Sequence, residues 1–162
     1  MLTKEESKGD EMMADLRDQI FIEKPLEEVF AFAVDLHNTP KVMVYVLSSE
    51  KITEGPIGVG TQFRERRKMG AQDTTSILEF IEYIPNRSYT IQSETNGIEV
   101  IYRYQFKTYD NGTLVDFTGE VVAKNMMMRF IRPMVINMLK KEDKDCLSLL
   151  KKAIEQREKI NK

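Results

Sequence analysis

Cysteine, tryptophan and histidine are scarce in this 162-residue chain, which has one Cys, no Trp and one His. A single cysteine, Cys146, excludes an internal disulfide, and no cluster of Cys and His side chains is available for a zinc site. His37 alone would have to carry any Ser-His-Asp or Cys-His apparatus, yet it lies in a polar loop. The sequence therefore predicts no metal and no other cofactor, and it favours a surface role for His37 and buried packing for Cys146.

An excess of one charge and a membrane-spanning apolar run are also missing. Lys and Arg number 24 against 26 Asp and Glu, so no strong field would attract nucleic acid. The first ten residues are polar, and no segment is long enough to span a bilayer. We expect a cytoplasmic protein without a nucleic-acid partner or integral membrane association, for which a homodimer stays open. The predicted organisation is a flexible segment at 1–12, one domain at 13–158 and a tail at 159–162.

Short alternating strands joined by two-residue turns fill the middle of the chain. Asn111-Gly112 is a strong signal for a type I′ turn, because both central positions need a positive φ. Its register predicts one apolar face, with the opposed pairs Phe106 and Phe117, Tyr104 and Gly119, and Tyr102 and Val121. On the polar face it predicts two ion pairs, Lys107 with Asp116 and Arg103 with Glu120. A second turn at Asn96-Gly97 places Ile91 beside Tyr102 and Tyr89 beside Tyr104.

A third turn at Gly70-Ala71 places Phe63 opposite Leu78 and Thr61 opposite Phe80 on the inward side. The same alternation turns four polar residues inward, namely Glu65, Arg67, Thr74 and Ser76. Two interpretations are open. Glu65 and Arg67 either lie at a wet strand end or pair with each other, or they form the polar end of a binding cavity and orient a ligand's carbonyl, hydroxyl or carboxylate.

Helices are predicted on both sides of this run of strands. Residues Leu16 to Ile22 read as a strand, Pro25 to Val34 as a short helix and Asp35 to Pro40 as a break before a second helical turn, after which Val44 to Thr53 resumes as a strand. A long helix from about Asn125 to Gln156 closes the chain, with a kink or staged start at Pro133. The α+β order is strand, two short helices, six strands and long helix, and a sheet curved around one helix leaves a cavity.

The segment Met126 to Ile131 is more apolar than one helix face requires. Such a methionine-rich cluster is core or a dimer contact in the first interpretation. In the second, soft and unbranched methionines repack around different cavity contents and act as a gate.

Three stretches carry a resemblance to a known superfamily: Ile22-Glu23-Lys24-Pro25-Leu26-Glu27-Glu28-Val29-Phe30 with Asp35, Gly55-Pro56-Ile57-Gly58-Val59-Gly60-Thr61-Gln62-Phe63, and the run Arg129 to Ile154. From about Leu16 to Glu155 the chain resembles the START-like polyketide cyclase and lipid-transport (SRPBCC) superfamily. The resemblance implies a helix-grip fold, in which a seven-stranded antiparallel sheet curves around a long C-terminal helix and a hydrophobic pocket lies between them. Members include lipid and sterol carriers, plant hormone and allergen proteins, polyketide cyclases, coenzyme-Q-binding proteins and chaperone-ATPase activators. This chain lacks a tryptophan near the second short helix, where Tyr45 would supply the bulky aromatic residue.

The predicted function is binding or transport of a small hydrophobic molecule such as a lipid, quinone or polyketide-like compound. The alternatives are a cyclase or dehydratase and an interaction module, which an exposed Met126 to Met134 segment would favour. Candidates for catalysis are Glu65 as acid or base, Arg67 as anion stabiliser, and Tyr102 or Tyr104 as hydrogen-bond donor. The predicted ligand-binding residues are Phe63, Glu65, Arg67, Ser76, Leu78, Phe80, Tyr89, Ile91, Tyr102, Tyr104, Phe106, Phe117, Gly119, Ile131, Val135 and Met138.

Overall fold

A computed structural model describes residues 14–160, so the segment predicted to be flexible, 1–12, lies outside the described residues. The elements are β1 Leu16–Ile22, α1 Leu26–Val34, a 3-10 turn Leu36–Asn38, α2 Thr39–Val42, β2 Val46–Lys51, β3 Gln62–Met69, β4 Gln72–Ile84, β5 Ser88–Thr95, β6 Ile98–Tyr109, β7 Gly112–Ala123, α3 Met126–Asp143 and α4 Cys146–Ile160.

The seven strands form one antiparallel sheet in the order β1-β7-β6-β5-β4-β3-β2. Each strand from β2 to β6 pairs with the next along the chain, and β1 closes the far edge against β7. The sheet is curved, with the short helices and the C-terminal helical stretch completing the molecule. This is the predicted helix-grip fold, which the structure confirms.

Two of the three predicted hairpin registers are confirmed. Tyr89 pairs with Tyr104 and Ile91 with Tyr102 across β5 and β6. Their turn has φ of 52° at Asn96 and 84° at Gly97, the positive values on which the prediction rested. Across β3 and β4, Phe63 pairs with Leu78 as predicted.

The predicted register of the β6–β7 hairpin is wrong by two residues. The observed pairs are Phe106 with Val115, Tyr104 with Phe117, and Tyr102 with Gly119, and the turn lies at Asp110-Asn111. The predicted pair Lys107 and Asp116 is therefore not formed in the ladder, where Lys107 faces Leu114. Arg103 and Glu120 still approach diagonally, with Nη1 and Oε2 3.4 Å apart. Because the shift is even, every side chain keeps its predicted face.

The physical reason for the shift is the packing of Gly112 against β1. A Cβ at Gly112 would collide with the carbonyl oxygen of Ile22 and lie 2.7 Å from Cζ of the Phe21 ring. Gly112 is thus the first residue of β7, and Asp110, with φ of 47°, takes the left-handed position in the turn. The glycine allows close approach between strands instead of supplying a positive φ.

The closing helical stretch consists of two helices, and not of one helix interrupted near its start. Helix α3 begins at Met126, where Oδ1 of Asn125 accepts a hydrogen bond from the Met128 amide at 2.9 Å. It runs through Pro133, and the interruption lies later, at residues 144–145. Helix α4 continues to Ile160, within the segment predicted as a tail. The face of the two helices turned toward the sheet buries Leu139, Asp143, Leu147, Leu150 and Ile154.

Four large apolar side chains near the start of α3 are exposed. Met126, Met127, Phe130 and Met134 are 66–83% exposed. The interpretation of the Met126 to Ile131 segment as core is therefore wrong for Met126, Met127 and Phe130, whereas a dimer contact and a gating role stay predictions. Among residues 14–160, no helix is both long and apolar enough to cross a membrane.

Candidate functional site

A cavity of about 340 Å³ lies between the inner face of the sheet and the helices. Alternation along the strands turns apolar and aromatic side chains into it, and helical spacing adds a second wall from α3 and α4. The apolar lining includes Leu36, Val42, Leu78, Ile91, Val100, Tyr104, Phe117, Val135, Met138 and Leu150. Outside the cavity, the inner face of the sheet is filled by aromatic packing, where the ring centroids of Phe30 and Phe106 are 5.2 Å apart.

Most of the residues predicted to bind ligand meet at this cavity. Those in its wall are Glu65, Arg67, Ser76, Leu78, Tyr89, Ile91, Tyr102, Tyr104, Phe117, Val135 and Met138. Five others are not part of the wall: Phe63, Phe80, Phe106, Gly119 and Ile131.

Four of these five residues have other packing roles. Phe63, Phe80 and Phe106 belong to the solid aromatic core and are at most 4% exposed. Gly119 faces β1, since a Cβ there would lie 2.8 Å from Cδ1 of Leu16. The alternation of a strand gives the face of a residue but not its position along that face, so it cannot separate a filled core from a hollow one.

A cluster of charged and polar side chains occupies one part of the cavity wall. Arg67 Nη1 donates to Glu142 Oε2 at 2.9 Å, and Arg67 Nη2 lies 3.5 Å from Glu65 Oε1. The Tyr102 hydroxyl donates to Asp143 Oδ2 at 3.0 Å. Glu65 and Arg67 lie on strand β3, and Tyr102 lies on strand β6. The other two carboxylates, Glu142 and Asp143, lie at the end of α3.

The two interpretations of Glu65 and Arg67 can now be compared with the geometry. Glu65 is 5% exposed, which excludes a wet strand end. The two side chains pair with each other and also line the cavity. Their contact with a ligand stays a prediction.

Burial changes the acid–base behaviour of this cluster. It raises the pKa of Asp143 to about 6, although Arg67 and the Tyr102 hydroxyl act in the opposite direction. Burial also raises the pKa of Glu65, and it raises the pKa of Tyr102 well above 10. Tyr102 therefore remains a neutral hydroxyl at neutral pH, while the carboxyl group of Asp143 loses its proton as the pH rises through about 6.

The other singled-out residues lie outside this cluster or are unreactive. Burial raises the pKa of the Cys146 thiol to about 12, which agrees with the predicted packing role. The His37 side chain is 53% exposed, with Nδ1 2.7 Å from Asp35 Oδ1. Tyr45 is exposed and is not part of the cavity wall. In the described part of the chain, no three His, Cys, Asp or Glu side chains are arranged to hold a metal ion.

The sequence matches the family described as polyketide cyclase / dehydrase and lipid transport over residues 13–155. The chain belongs to this family. Curated proteins offer no significant match to it.

Several solved structures have the same fold as this chain. TTHA0849 from Thermus thermophilus is 18% identical with a TM-score of 0.70, over 86% of this chain and 95% of that one. The di-domain ARO/CYC StfQ from the steffimycin biosynthetic pathway is 12% identical with a TM-score of 0.70, over 94% and 55%. Ara h 8.0201 is 14% identical with a TM-score of 0.65, over 86% and 95%. At these identities the likeness shows the fold alone.

Two residues of the polar cluster, Glu142 and Asp143, were not predicted from the sequence. Apolar periodicity alone defines the final helical stretch in the sequence, and it singles out neither of these carboxylates. A usable signal is present, because Leu139, Asp143 and Cys146 recur at the i, i+4, i+7 spacing of one helix face. An acidic residue on an apolar stripe indicates a buried polar partner.

Proposed function

We propose that this protein binds a small hydrophobic molecule in the cavity between the sheet and helices α3 and α4. The single observation that carries the proposal is the cavity itself, about 340 Å³ in volume and walled mainly by apolar side chains, with one buried polar cluster. Such a combination is typical of small-molecule sites, in which apolar walls give affinity and a few polar groups fix orientation. A lipid, quinone or polyketide-like compound fits this description.

Native mass spectrometry on protein purified from its own host tests the proposal. We expect a stoichiometric apolar compound that solvent extraction recovers. Val135→Phe places a larger side chain in the cavity wall, and we expect it to lower occupancy at least about fivefold. Met134→Phe is the matched control, because Met134 is the neighbouring residue on the same helix but is 66% exposed.

The occupancies of the two variants decide between a bound ligand and an empty cavity. Loss of the compound in Val135→Phe and its retention in Met134→Phe support the proposal. Protein that carries nothing and takes up no member of a panel of lipids, quinones and aromatic polyketides would overturn it.

Catalysis on a bound compound is a second candidate function, and Asp143 is the observation that favours it. A carboxyl group with a pKa of about 6 inside a cavity meets the requirement for a general acid or base at neutral pH. Arg67 is already engaged by Glu65 and Glu142, which makes it a less available anion stabiliser than the sequence suggested. Chromatography and mass spectrometry of the extracted compound test catalysis, since a dehydratase returns an added polyketide-like compound lighter by one water, whereas a cyclase without water loss returns an isomer with a different retention time.

An interaction module is the third candidate, favoured by the exposed side chains of α3. Met126, Met127, Phe130 and Met134 form an apolar surface that we call the α3 face. An exposed patch of this kind marks contact sites in many soluble proteins. It lies outside the cavity wall, so interaction and ligand binding are separable properties of the molecule.

A further inference from the structure

One oxygen atom of the buried polar cluster has no hydrogen-bond partner within residues 14–160. Asp143 is 8% exposed, and its Oδ2 accepts the hydrogen bond from Tyr102. Its Oδ1 is buried without a hydrogen-bond partner among the described residues. An unsatisfied buried carboxylate oxygen is costly, and a native structure normally supplies a donor for it. Because Asp143 belongs to the cavity wall, a bound molecule can supply that donor.

The charges around Asp143 determine which kind of ligand group suits it. Three carboxyl groups, on Glu65, Glu142 and Asp143, share one guanidinium, on Arg67. The Arg67 nitrogens face the first two: Nη1 bonds Glu142 and Nη2 lies near Glu65. A ligand carboxylate would add negative charge to a desolvated site that already has an excess of it, whereas a hydroxyl or ammonium group would relieve it.

We propose that Asp143 Oδ1 accepts a hydrogen bond from a hydroxyl or ammonium group of the ligand, so that the cavity selects apolar molecules that carry such a donor over those that carry a carboxylate. This inference rests on the proposed function, because it requires that the cavity is occupied. It adds the chemical class of the occupant and the atom that recognises it.

The proposal includes a pH dependence. The groups that face Asp143 are Glu65 and Arg67 from β3, Tyr102 and Tyr104 from β6, Glu142 from α3 and Cys146 from α4. Burial raises the pKa of Asp143 to about 6, and both tyrosines and the thiol stay neutral through this range. A donor prefers the ionised carboxylate, so its binding is strongest above pH 6 and weakens as the pH falls through 6.

Four naphthalenes of one size test the inference by calorimetric titration at about pH 7.5: 2-methylnaphthalene, 2-naphthol, 2-naphthylmethylamine and 2-naphthoate. We expect the naphthol or the amine to bind at least about tenfold more tightly than the methyl compound, the ratio that one hydrogen bond to a charged group supports. The naphthoate should bind more weakly than either donor compound. Repeating the naphthol titration at about pH 5 should reduce its advantage.

Two variants and one control assign the effect to Asp143. Asp143→Leu should bring the advantage of the donor compounds below about threefold while leaving 2-methylnaphthalene bound. Asp143→Asn keeps the size of the side chain and should remove the change between the two pH values, which serves if the leucine variant fails to fold. Asp145→Asn removes the same charge from an exposed neighbour and should behave as the unmodified protein.

The outcomes distinguish this inference from the proposed function. Equal binding of the methyl and donor compounds, a preference for the naphthoate, or a donor preference that survives in Asp143→Leu would each overturn the inference and leave the cavity as a binding site. Failure of all four naphthalenes and of the lipid, quinone and polyketide panel to bind would overturn the proposed function, and the inference with it.

Discussion

At the scale of single residues, Asp143 couples the stability of the fold to pH. Burial raises its pKa from an ordinary 3.8 to about 6. Between these values the folded protein holds a proton that the unfolded chain has released. The stability from this group is therefore fully present below about pH 4 and is lost as the pH rises through about 6, at about 3 kcal/mol for the whole shift.

Asp143→Asn should remove this dependence, because an amide cannot ionise. We expect the free energy of unfolding of the variant, relative to that of the unmodified protein, to be about 2 kcal/mol larger at about pH 7.5 than at about pH 4.5, so that the variant is relatively more stable at the higher pH. Urea unfolding at the two pH values measures it. Asp145→Asn, at an exposed position, should follow the unmodified protein at both, and parallel curves for Asp143→Asn and the unmodified protein would contradict the assignment.

Three of the five members of the polar cluster, Glu65, Arg67 and Tyr102, were predictable at this scale. Strand alternation alone turns Glu65 and Arg67 inward once the Gly70-Ala71 turn fixes the register, and both are in the cavity wall. Glu142 and Asp143 come from α3, where reading only apolar periodicity hides a charged residue on the inward face. The pairing of Arg67 with Glu142 joins residues far apart in the sequence, and no local pattern carries such information.

At the scale of elements, the hairpins show which turn signals determine a register. Asn96 and Gly97 both have positive φ and lie in the turn that their identity predicts. Asn111-Gly112 carries the same signal, but contact between Gly112 and β1 takes precedence, and the turn moves to Asp110-Asn111. The last helices show the same limit, since the interruption between them, at Lys144 and Asp145, contains no proline or glycine to mark it.

Gly112→Ala tests this account of the β6–β7 hairpin. An added methyl group would collide with the Ile22 carbonyl and the Phe21 ring, so β1 must move away from β7. We expect a loss of about 1–3 kcal/mol in the free energy of unfolding, measured by urea titration. Gly58→Ala is the control, because no atom of the described residues lies within 4 Å of a Cβ there. A neutral effect of Gly112→Ala would show that the glycine is not needed for the approach of the strands.

At the scale of the whole molecule, the two faces of α3 have different surroundings. Val135, Met138 and Leu139 face the cavity, whereas the α3 face points to solvent. Exposed apolar side chains contribute little to the stability of an isolated domain, because folding removes little of their surface from water. A cluster of such side chains promotes association with other molecules, and it therefore indicates a contact surface.

The double variant Phe130→Gln, Met134→Gln should therefore leave the folded domain and its cavity unchanged. We expect its free energy of unfolding to stay within about 0.5 kcal/mol of the unmodified value, and its ligand occupancy in native mass spectra to be equal. Sedimentation velocity over a range of concentrations then isolates the remaining property, since self-association through the α3 face would decrease in the variant alone. Val135→Phe provides the opposite pattern, with occupancy reduced and sedimentation unchanged. If the double variant instead lost ligand, the α3 face would take part in cavity access, as the gating interpretation of the methionines requires.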